Sequence, residues 1–411
     1  MNSQQKHNKV QWKMVKFDEF FDMLPNNTLS RDKLNDQYGE YQNIHYGDVL
    51  IKYPYCLDCG ENDIPYVNGN IRFNTTQIKD GDVIFADTAE DDTVGKCVEM
   101  MNVGDRKIVS GLHTYLCRPK FAIASGYLGY FLNSNHYHNQ LLPYIAGSKV
   151  SSVNRASIAR TLIFFPSALS EQRRIASILS SADKVIDSTQ KLIAKYKQIK
   201  QGMMEDLLKP KEGWKKVKLG ECLRQKPDYG INAPAVEYDN NLPTYLRITD
   251  ITEDGYYSRN DIVSVSSLDA LNYKLEDGDL VFARTGASVG KTYLYNQKDG
   301  ILVFAGFLIR VRTDEQIVLS QFFKYQTQTP NYKNWIAANS MRTGQPGING
   351  NEYGEFTFYI PYQNDIPDLS EQRRIASILS SIDKKIESEE KVLEKYKNLK
   401  KGLMEKLLNC E

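Results

Sequence analysis

The run Gly286-Ala-Ser-Val-Gly-Lys-Thr292 is the stretch of this chain closest to a catalytic fingerprint. A phosphate-cradling loop needs four residues between its glycines, so that backbone N–H groups can wrap the phosphates ahead of the Lys and the hydroxyl. Here only three intervene. The corresponding stretch Thr88–Cys97 lacks both the leading glycine and the hydroxyl after Lys96. The spacing therefore predicts a turn joining two strands rather than a nucleotide site. Cys56-Leu-Asp-Cys59 is the one cysteine pair with ligand spacing. A structural zinc site wants four ligands, usually two such pairs; there is no second such pair, and His136-Tyr-His138 is the one stretch that could in principle complete a site. No metal is expected, and the thiols are expected reduced and unligated. His113 stands alone in an expected strand. Asp228 and Glu237-Tyr-Asp239 could begin a nuclease site, but no Glu-x-Lys follows in register. There is no Asp/Asn-Pro-Pro-Tyr to stack an adenine and no glycine-rich cofactor loop. The expected catalytic set is empty, and no cofactor is expected in this chain.

What the chain does hold is material for touching nucleic acid. It has 26 tyrosines and several polar loops. Arg and Lys can read guanine, Asn and Gln adenine, while Ser, Thr and backbone N–H groups hold phosphates. Two loops at equivalent places have these residues in different spelling, Ala146–Asn154 and Asn339–Asn351. The candidates are Lys149, Ser151, Ser152 and Asn154 in the first with Arg155 directly after it, and Arg342, Thr343, Gln345 and Asn349 in the second. Arg284 and Thr285, straight after an expected buried strand and opposite Asp87-Thr88, complete the set.

The elements that must position these loops are duplicated. Leu169–Ser181 and Leu369–Ser381 both spell LSEQRRIASILSS, and Leu169–Leu208 matches Leu369–Leu408 at 27 of 40 positions. Ile175, Leu179, Ala182, Ile186, Ile193, Tyr196, Met203 and Leu207 recur by fours and threes. So do Ile375, Leu379, Ile382, Ile386, Leu393, Tyr396, Leu403 and Leu407. That is a heptad seam, broken in both copies at Thr189/Glu389 and Lys200/Lys400. Ser170 and Ser370 are the expected N-caps. A helix of about 38 residues is roughly 57 Å long and cannot bury its seam alone. The five-residue linker Lys209–Gly213 returns the chain beside the end of the first helix, so the two helices should run antiparallel.

Before each helix lies a divergent insert of about 155 residues. Trp12-Lys-Met-Val-Lys and Trp214-Lys-Lys-Val-Lys predict short strands. Asp80-Gly-Asp-Val-Ile-Phe-Ala and Asp277-Gly-Asp-Leu-Val-Phe-Ala predict a turn feeding a buried strand. Val94-Gly-Lys echoes Val289-Gly-Lys. Ser110–Leu116 and Ala305–Val311 look like a further matched strand. A helix follows, near Ser125–Ser134 and Leu319–Thr327, then the polar loops, then strands Leu162–Pro166 and Phe356–Pro361. The expected fold class is α+β. Two mixed α/β domains, with more strand than helix, are held by a two-helix antiparallel coiled coil in a pseudo-twofold internal repeat. The expected boundaries are 1–168, 169–208, 209–213, 214–368 and 369–411.

Charge adds a constraint. The chain is +1 overall, the two helical segments carry +2 and +3, and the remainder is −4. If the globular parts bind DNA, they must do so through local patches, with help from a partner that supplies much of the phosphate neutralisation. The longest apolar run, Ile301–Ile309, is too short to span a bilayer, and the first residues, MNSQQKHNKVQW, have no signal-peptide core. A cytoplasmic location without membrane contact is expected.

This arrangement resembles the specificity subunit of type I restriction–modification systems. The resemblance rests on the Trp-Lys-x-Val-Lys-Leu opening, the Gly-Asp-hydrophobic-hydrophobic-x-Arg-Thr-Gly stretch, the Ile-Pro exit and Leu-Ser-Glu-Gln-Arg-Arg-Ile-Ala, all in the family's order over nearly the whole chain. It implies two target-recognition domains, Trp12–Pro166 and Trp214–Pro361, each reading half of a split site in double-stranded DNA. It also implies that the coiled coil acts as a ruler. Two modification subunits would dock and methylate adenine with S-adenosylmethionine. Two restriction subunits, an optional addition, would use ATP and Mg. One departure is Asp87 where the second domain has Arg284, which argues against a DNA contact there in the first half. Two readers on one face of B-DNA want half-sites about 10 bp apart, centre to centre. Half-sites of about 3–4 bp and a gap of about 5–8 bp are expected. The competing reading is a structural adaptor whose coiled coil assembles protein partners without reading DNA; a split nuclease is a third.

Overall fold

The computed structural model describes residues 11–69, 71, 75–147, 149–341 and 344–409. The chain divides into two compact units. The first holds the residues up to Lys191 together with those from Lys391 on; the second is Leu192–Glu390.

The globular part of the first unit opens with strand Trp12–Lys16, paired antiparallel to the closing strand, Trp12 opposite Pro166 and Lys16 opposite Leu162. The central sheet runs in the order Phe21–Leu24, Thr114–Pro119, Val83–Ala86, Cys97–Met101 and Cys56–Asp58. Val83–Ala86 is buried along its whole length, as expected of an apolar run launched by an Asp-Gly turn. A second sheet comprises Ile108–Ser110, Gln42–Ile44, Tyr66–Val67 and Leu34–Asn35.

The second unit repeats the plan. Trp214–Lys218 pairs with Thr357–Gln363. The central sheet runs Asp228–Tyr229, Leu308–Val311, Leu280–Ala283 and Thr292–Leu294. The side sheet holds Ala235–Glu237, Val263–Val265, Thr244–Leu246 and Leu302–Phe304.

The long helices are Leu169–Leu207 and Leu369–Leu407. Within the first unit, Ile175 and Leu179 share a core with Leu408, with Leu403, Met404 and Leu407 packed against it. Within the second, Ile375 and Leu379 share a core with Met204 and Leu208. The start of one helix thus lies against the end of the other, which is antiparallel pairing. Each buried aliphatic side chain contributes about 1.5–3 kcal/mol. Each helix is also stitched to its own domain by a buried glutamine of the repeated motif. Gln172 accepts from the Ala124 N–H at 2.8 Å and donates to the Pro166 carbonyl at 2.7 Å. Gln372 accepts from Leu319 N–H and donates to the Ile317 carbonyl, both at 2.9 Å.

Of the expected seam, Ile175, Leu179, Ile193, Ile375, Leu379 and Ile386 are buried. Ile186, Tyr196, Leu207, Ile382, Leu393, Tyr396 and Leu407 are half-buried. Near the helix ends full burial falls one residue late, on Met204, Leu208 and Leu408. A straight helix drifts against a strict seven-residue repeat by about 20° per heptad, which moves the inward position.

Four local expectations need correction. Ser170 and Ser370 lie inside the first helical turn, not at the N-cap. The second helix is capped by Asp368, whose carboxylate accepts from the N–H groups of Ser370 and Glu371, both at 3.0 Å. The first begins after Ala168, which has no capping side chain. The stretch Ser110–Leu116 is broken by a turn at Gly111–His113 and joins two strands, and Ala305–Val311 opens with a turn at Ala305–Phe307 and is strand only over Leu308–Val311. His113 sits in that turn at φ +54° rather than in a strand. A second helix precedes each polar loop, Asn135–Leu141 and Pro330–Asn339, where none was expected. Among the described residues no helix is long and apolar enough to cross a membrane.

Candidate nucleic-acid interface

Each unit builds the same scaffold at the tip of its central sheet. The strand Val83–Ala86 delivers Asp87 and Thr88; the strand Leu280–Ala283 delivers Arg284 and Thr285. Asp87 N–H donates to the His113 carbonyl at 3.1 Å, and Arg284 N–H donates to the Phe307 carbonyl at 3.1 Å. The polar loops then close over these residues. Val153 N–H donates to the Asp87 carbonyl, and Ile348 N–H to the Arg284 carbonyl, each at 2.9 Å. Val153 and Ile348 are buried, which anchors the two loops by an apolar residue at the same place.

Asn154 and Asn349 follow those anchors and cap short helices. Asn154 Oδ1 accepts from Ser157 N–H at 2.9 Å, and Asn349 Oδ1 from Glu352 N–H at 3.0 Å. The cap occupies the oxygen that an adenine contact would also need. Ser151 and Ser152 pair with Ala89 and Thr88 as a two-residue ladder. Lys149, Ser152 and Arg155 are exposed and Ser151 is half-buried. In the second unit Thr285 bridges to Gly347, and Gln345 is exposed. Arg342 and Thr343 lie outside the described residues. The structure therefore brings Lys149, Ser151, Ser152, Asn154 and Arg155 together with Thr88. It likewise brings Arg284, Thr285, Gln345 and Asn349 together in the other unit.

Two tyrosines and two exposed rings complete these surfaces and were not singled out from the sequence. The Arg155 guanidinium lies 5.0 Å over the Tyr115 ring, and the Arg284 guanidinium 5.0 Å over the Tyr229 ring. Tyr115 hydroxyl donates to the Val153 carbonyl at 3.3 Å; Tyr229 hydroxyl accepts from Gly350 N–H at 3.1 Å. Arg284 Nε is buried with no hydrogen-bond partner among the described residues. Leaving such a donor unmet costs about 1–3 kcal/mol. At the turn tips, Phe307 is 56% exposed, and His113 lies 3.3 Å from Asp87 with about half its side chain exposed. The sequence signal for these rings was the shared turn that interrupts an apparent strand.

The lookalike phosphate loop is a turn between strands Leu280–Ala283 and Thr292–Leu294. Its lysine is taken by Glu253 at 2.8 Å, and the Thr292 hydroxyl by Thr327 at 2.8 Å. Gly290 is required there by packing. It has φ +87°, and a Cβ would fall 2.7 Å from Ile336 of the helix Pro330–Asn339. Gly95 matches it, with φ +87° and a Cβ that would meet Leu141 at 2.5 Å. The echo of Val-Gly-Lys in the two halves is thus a close strand-turn-to-helix contact. Burial pushes the Cys56 thiol up and the Cys59 thiol up to about 11, which disfavours the thiolate a metal needs. Among the described residues no group of three or more His, Cys, Asp or Glu could hold a metal ion.

Comparison with known proteins agrees with the duplicated plan. The family model "Type I restriction modification DNA specificity domain" matches the chain twice, over residues 9–198 and 211–398. The EcoKI specificity subunit of Escherichia coli (strain K12) is 24% identical over 373 residues, 85% of this chain and 78% of that protein. The StySPI specificity subunit of Salmonella potsdam is 23% identical over 348 residues, 78% of this chain and 72% of that protein. The crystal structure of a type I restriction–modification S subunit from M. genitalium superposes with a TM-score of 0.60 at 15% identity. It covers 99% of this chain and 98% of its own. With two copies of the specificity domain spanning nearly its whole length, the chain belongs to the type I restriction–modification DNA specificity family.

Proposed function

We propose that the chain is the non-catalytic DNA-specificity subunit of a type I restriction–modification complex, each globular domain reading one half of a bipartite site. The observation that carries this reading is the duplicated scaffold with non-duplicated side chains. The same backbone hydrogen bonds hold Asp87 in one unit and Arg284 in the other, and loops of different spelling lie over them. A surface that is rebuilt faithfully and relettered freely is what reading two different sequences requires.

Such a subunit works with DNA and with the other subunits of its system. The finer assignment is that two modification subunits dock on the outward faces of the long helices, where Arg173 and Arg373 are exposed at matching places. Two restriction subunits can join them in the cytoplasm. S-adenosylmethionine, ATP and Mg then belong to those partners. The number of helical residues between the domains sets the gap between half-sites.

The test is a transplant. Replacing Ala146–Asn154 with the same loop of a relative, in the assembled complex, should change one half-site and leave the other intact. A change in both halves would break the modular reading. Retention of no DNA by the assembled complex would favour the adaptor.

A further inference from the structure

We propose that Arg155 and Arg284 are the guanine readers of the two half-sites, one guanidinium per domain, supplied from different positions of the same scaffold. This deepens the DNA-reading function above and rests on it.

The equivalence follows from the backbone. Asp87 and Arg284 make the same two main-chain hydrogen bonds, and Asn154 and Asn349 cap the same short helix. The residue after each cap is therefore also equivalent: Arg155 in the first unit, Gly350 in the second. One unit has Asp at the strand end and Arg after the cap. The other has Arg at the strand end and Gly after the cap.

The exchange has a steric reason. A Cβ on Gly350 would lie 3.1 Å from Pro227 Cβ, 3.6 Å from the Tyr229 hydroxyl and 3.8 Å from Ile309. Tyr229 fills the space over Ile309 and leaves little room for a long side chain at 350. By strand register, Ile309 opposes Phe282 as Tyr115 opposes Phe85. So Tyr115 occupies the sheet position of Ile309, with Arg155 above it. In the second unit the aromatic platform moves to Tyr229, and the guanidinium comes from Arg284 instead.

Both guanidiniums lie over a tyrosine ring and are unspent. Each sits 5.0 Å over its tyrosine ring. Among the described residues neither makes a hydrogen bond or an ion pair, and the buried Nε of Arg284 has no partner at all. An arginine side chain carries five N–H donors in a fixed fork. A fork seated over a ring, with its donors unused, is free to meet a planar acceptor pair. In a DNA groove that pair is guanine O6 and N7, the commonest specific contact. The competing acceptor is a phosphate, which carries no sequence.

The experiment uses the chain assembled with its modification subunits and a randomised DNA library, and compares wild type, R284A, R284Q and R155A. Wild type should show a guanine in each half-site. R284A should lose preference for that guanine by about 5- to 150-fold in one half-site only. R284Q should move the preference at that position toward adenine, since Gln pairs with adenine N6 and N7. R155A should do the same to the other half-site as R284A does to the first. The untouched half-site in each variant reports that the chain is folded. Uniform weakening on every sequence, with the salt slope falling by about 1, would mark a phosphate contact and overturn the proposal. So would unchanged preferences, or a wild-type half-site without guanine. A wild-type complex with no bipartite preference would instead overturn the function on which the proposal rests.

Discussion

Lys200 places its amino group 2.8 Å from the carboxylate of Asp383, and Lys400 stands in the same relation to Asp183. Each pair joins the late part of one long helix to the early part of the other. Each carboxylate also reaches its globular domain, accepting from the Tyr325 hydroxyl at 2.8 Å and the Tyr130 hydroxyl at 2.7 Å. In each unit one carboxylate thus ties two helices and a domain together at the place where the apolar seam is interrupted. In the second unit Lys324 adds a further cation, 3.6 Å from Asp383. Burial alone would raise the Asp383 carboxyl, but the Lys200 and Lys324 charges bring it below its ordinary value.

Asp383→Ala should therefore cost more than Asp183→Ala. The first strands two lysines and a tyrosine in a buried site, at about 3–5 kcal/mol. Asp183 is about a third exposed and faces a single lysine, so its loss should cost about 1–2 kcal/mol. Denaturant unfolding of the two variants checks this; equal costs would contradict it.

The helix starts offer a reciprocal pair. Asp368→Ala removes a cap and should destabilise by about 1 kcal/mol, whereas Ala168→Asp adds one and should stabilise by a similar amount. Hydrogen exchange in the first turn of each helix reads both. A loss of protection on adding the aspartate would count against the cap assignment.

Glu99 gives a pH signature. Its oxygens accept from the N–H groups of Gly126 and Gly129 at 2.7 and 2.8 Å, yet burial raises its carboxyl to about 7. The folded chain then binds this proton more tightly than the unfolded chain. Its contribution is fully present below about pH 4.5 and is lost as pH rises through about 7, by roughly 3 kcal/mol. Glu99→Gln should flatten that decline between pH 4.5 and 7. An unchanged pH slope would mean that the two N–H groups keep the carboxylate ionised.

The spacing role proposed for the long helices can be tested by lengthening them. One matched heptad inserted into both long helices adds about 10 Å, which corresponds to about 3 bp of duplex at 3.4 Å per step. The gap between half-sites, mapped with the assembled complex, should widen by about that much. An unchanged gap would remove the helices from the spacing mechanism.

Much of this was legible in the sequence, for identifiable reasons. The Asp-Gly turns before Val83 and Leu280, and the Trp-led strands, are local signals that tertiary packing did not override. The seam showed because each helix copies the other. Lys200 and Lys400 were visible only as interruptions, since their partners lie on the other helix and a one-dimensional pattern cannot pair them. The helices Asn135–Leu141 and Pro330–Asn339 carried readable starts, Ser134 and Thr329-Pro330, hidden by the polar residues that follow. The Arg155/Arg284 exchange was not legible. Both arginines could be named as candidates, but their equivalence depends on a glycine and a tyrosine that meet only in the folded sheet.

The most direct test is to map the bases methylated by the complex assembled around this chain, by methylation-aware sequencing of the DNA it has modified. A split motif is expected, with two short specified segments of about 3–4 bp and an unspecified gap of about 5–8 bp. One continuous motif, or modification without any motif, would contradict it.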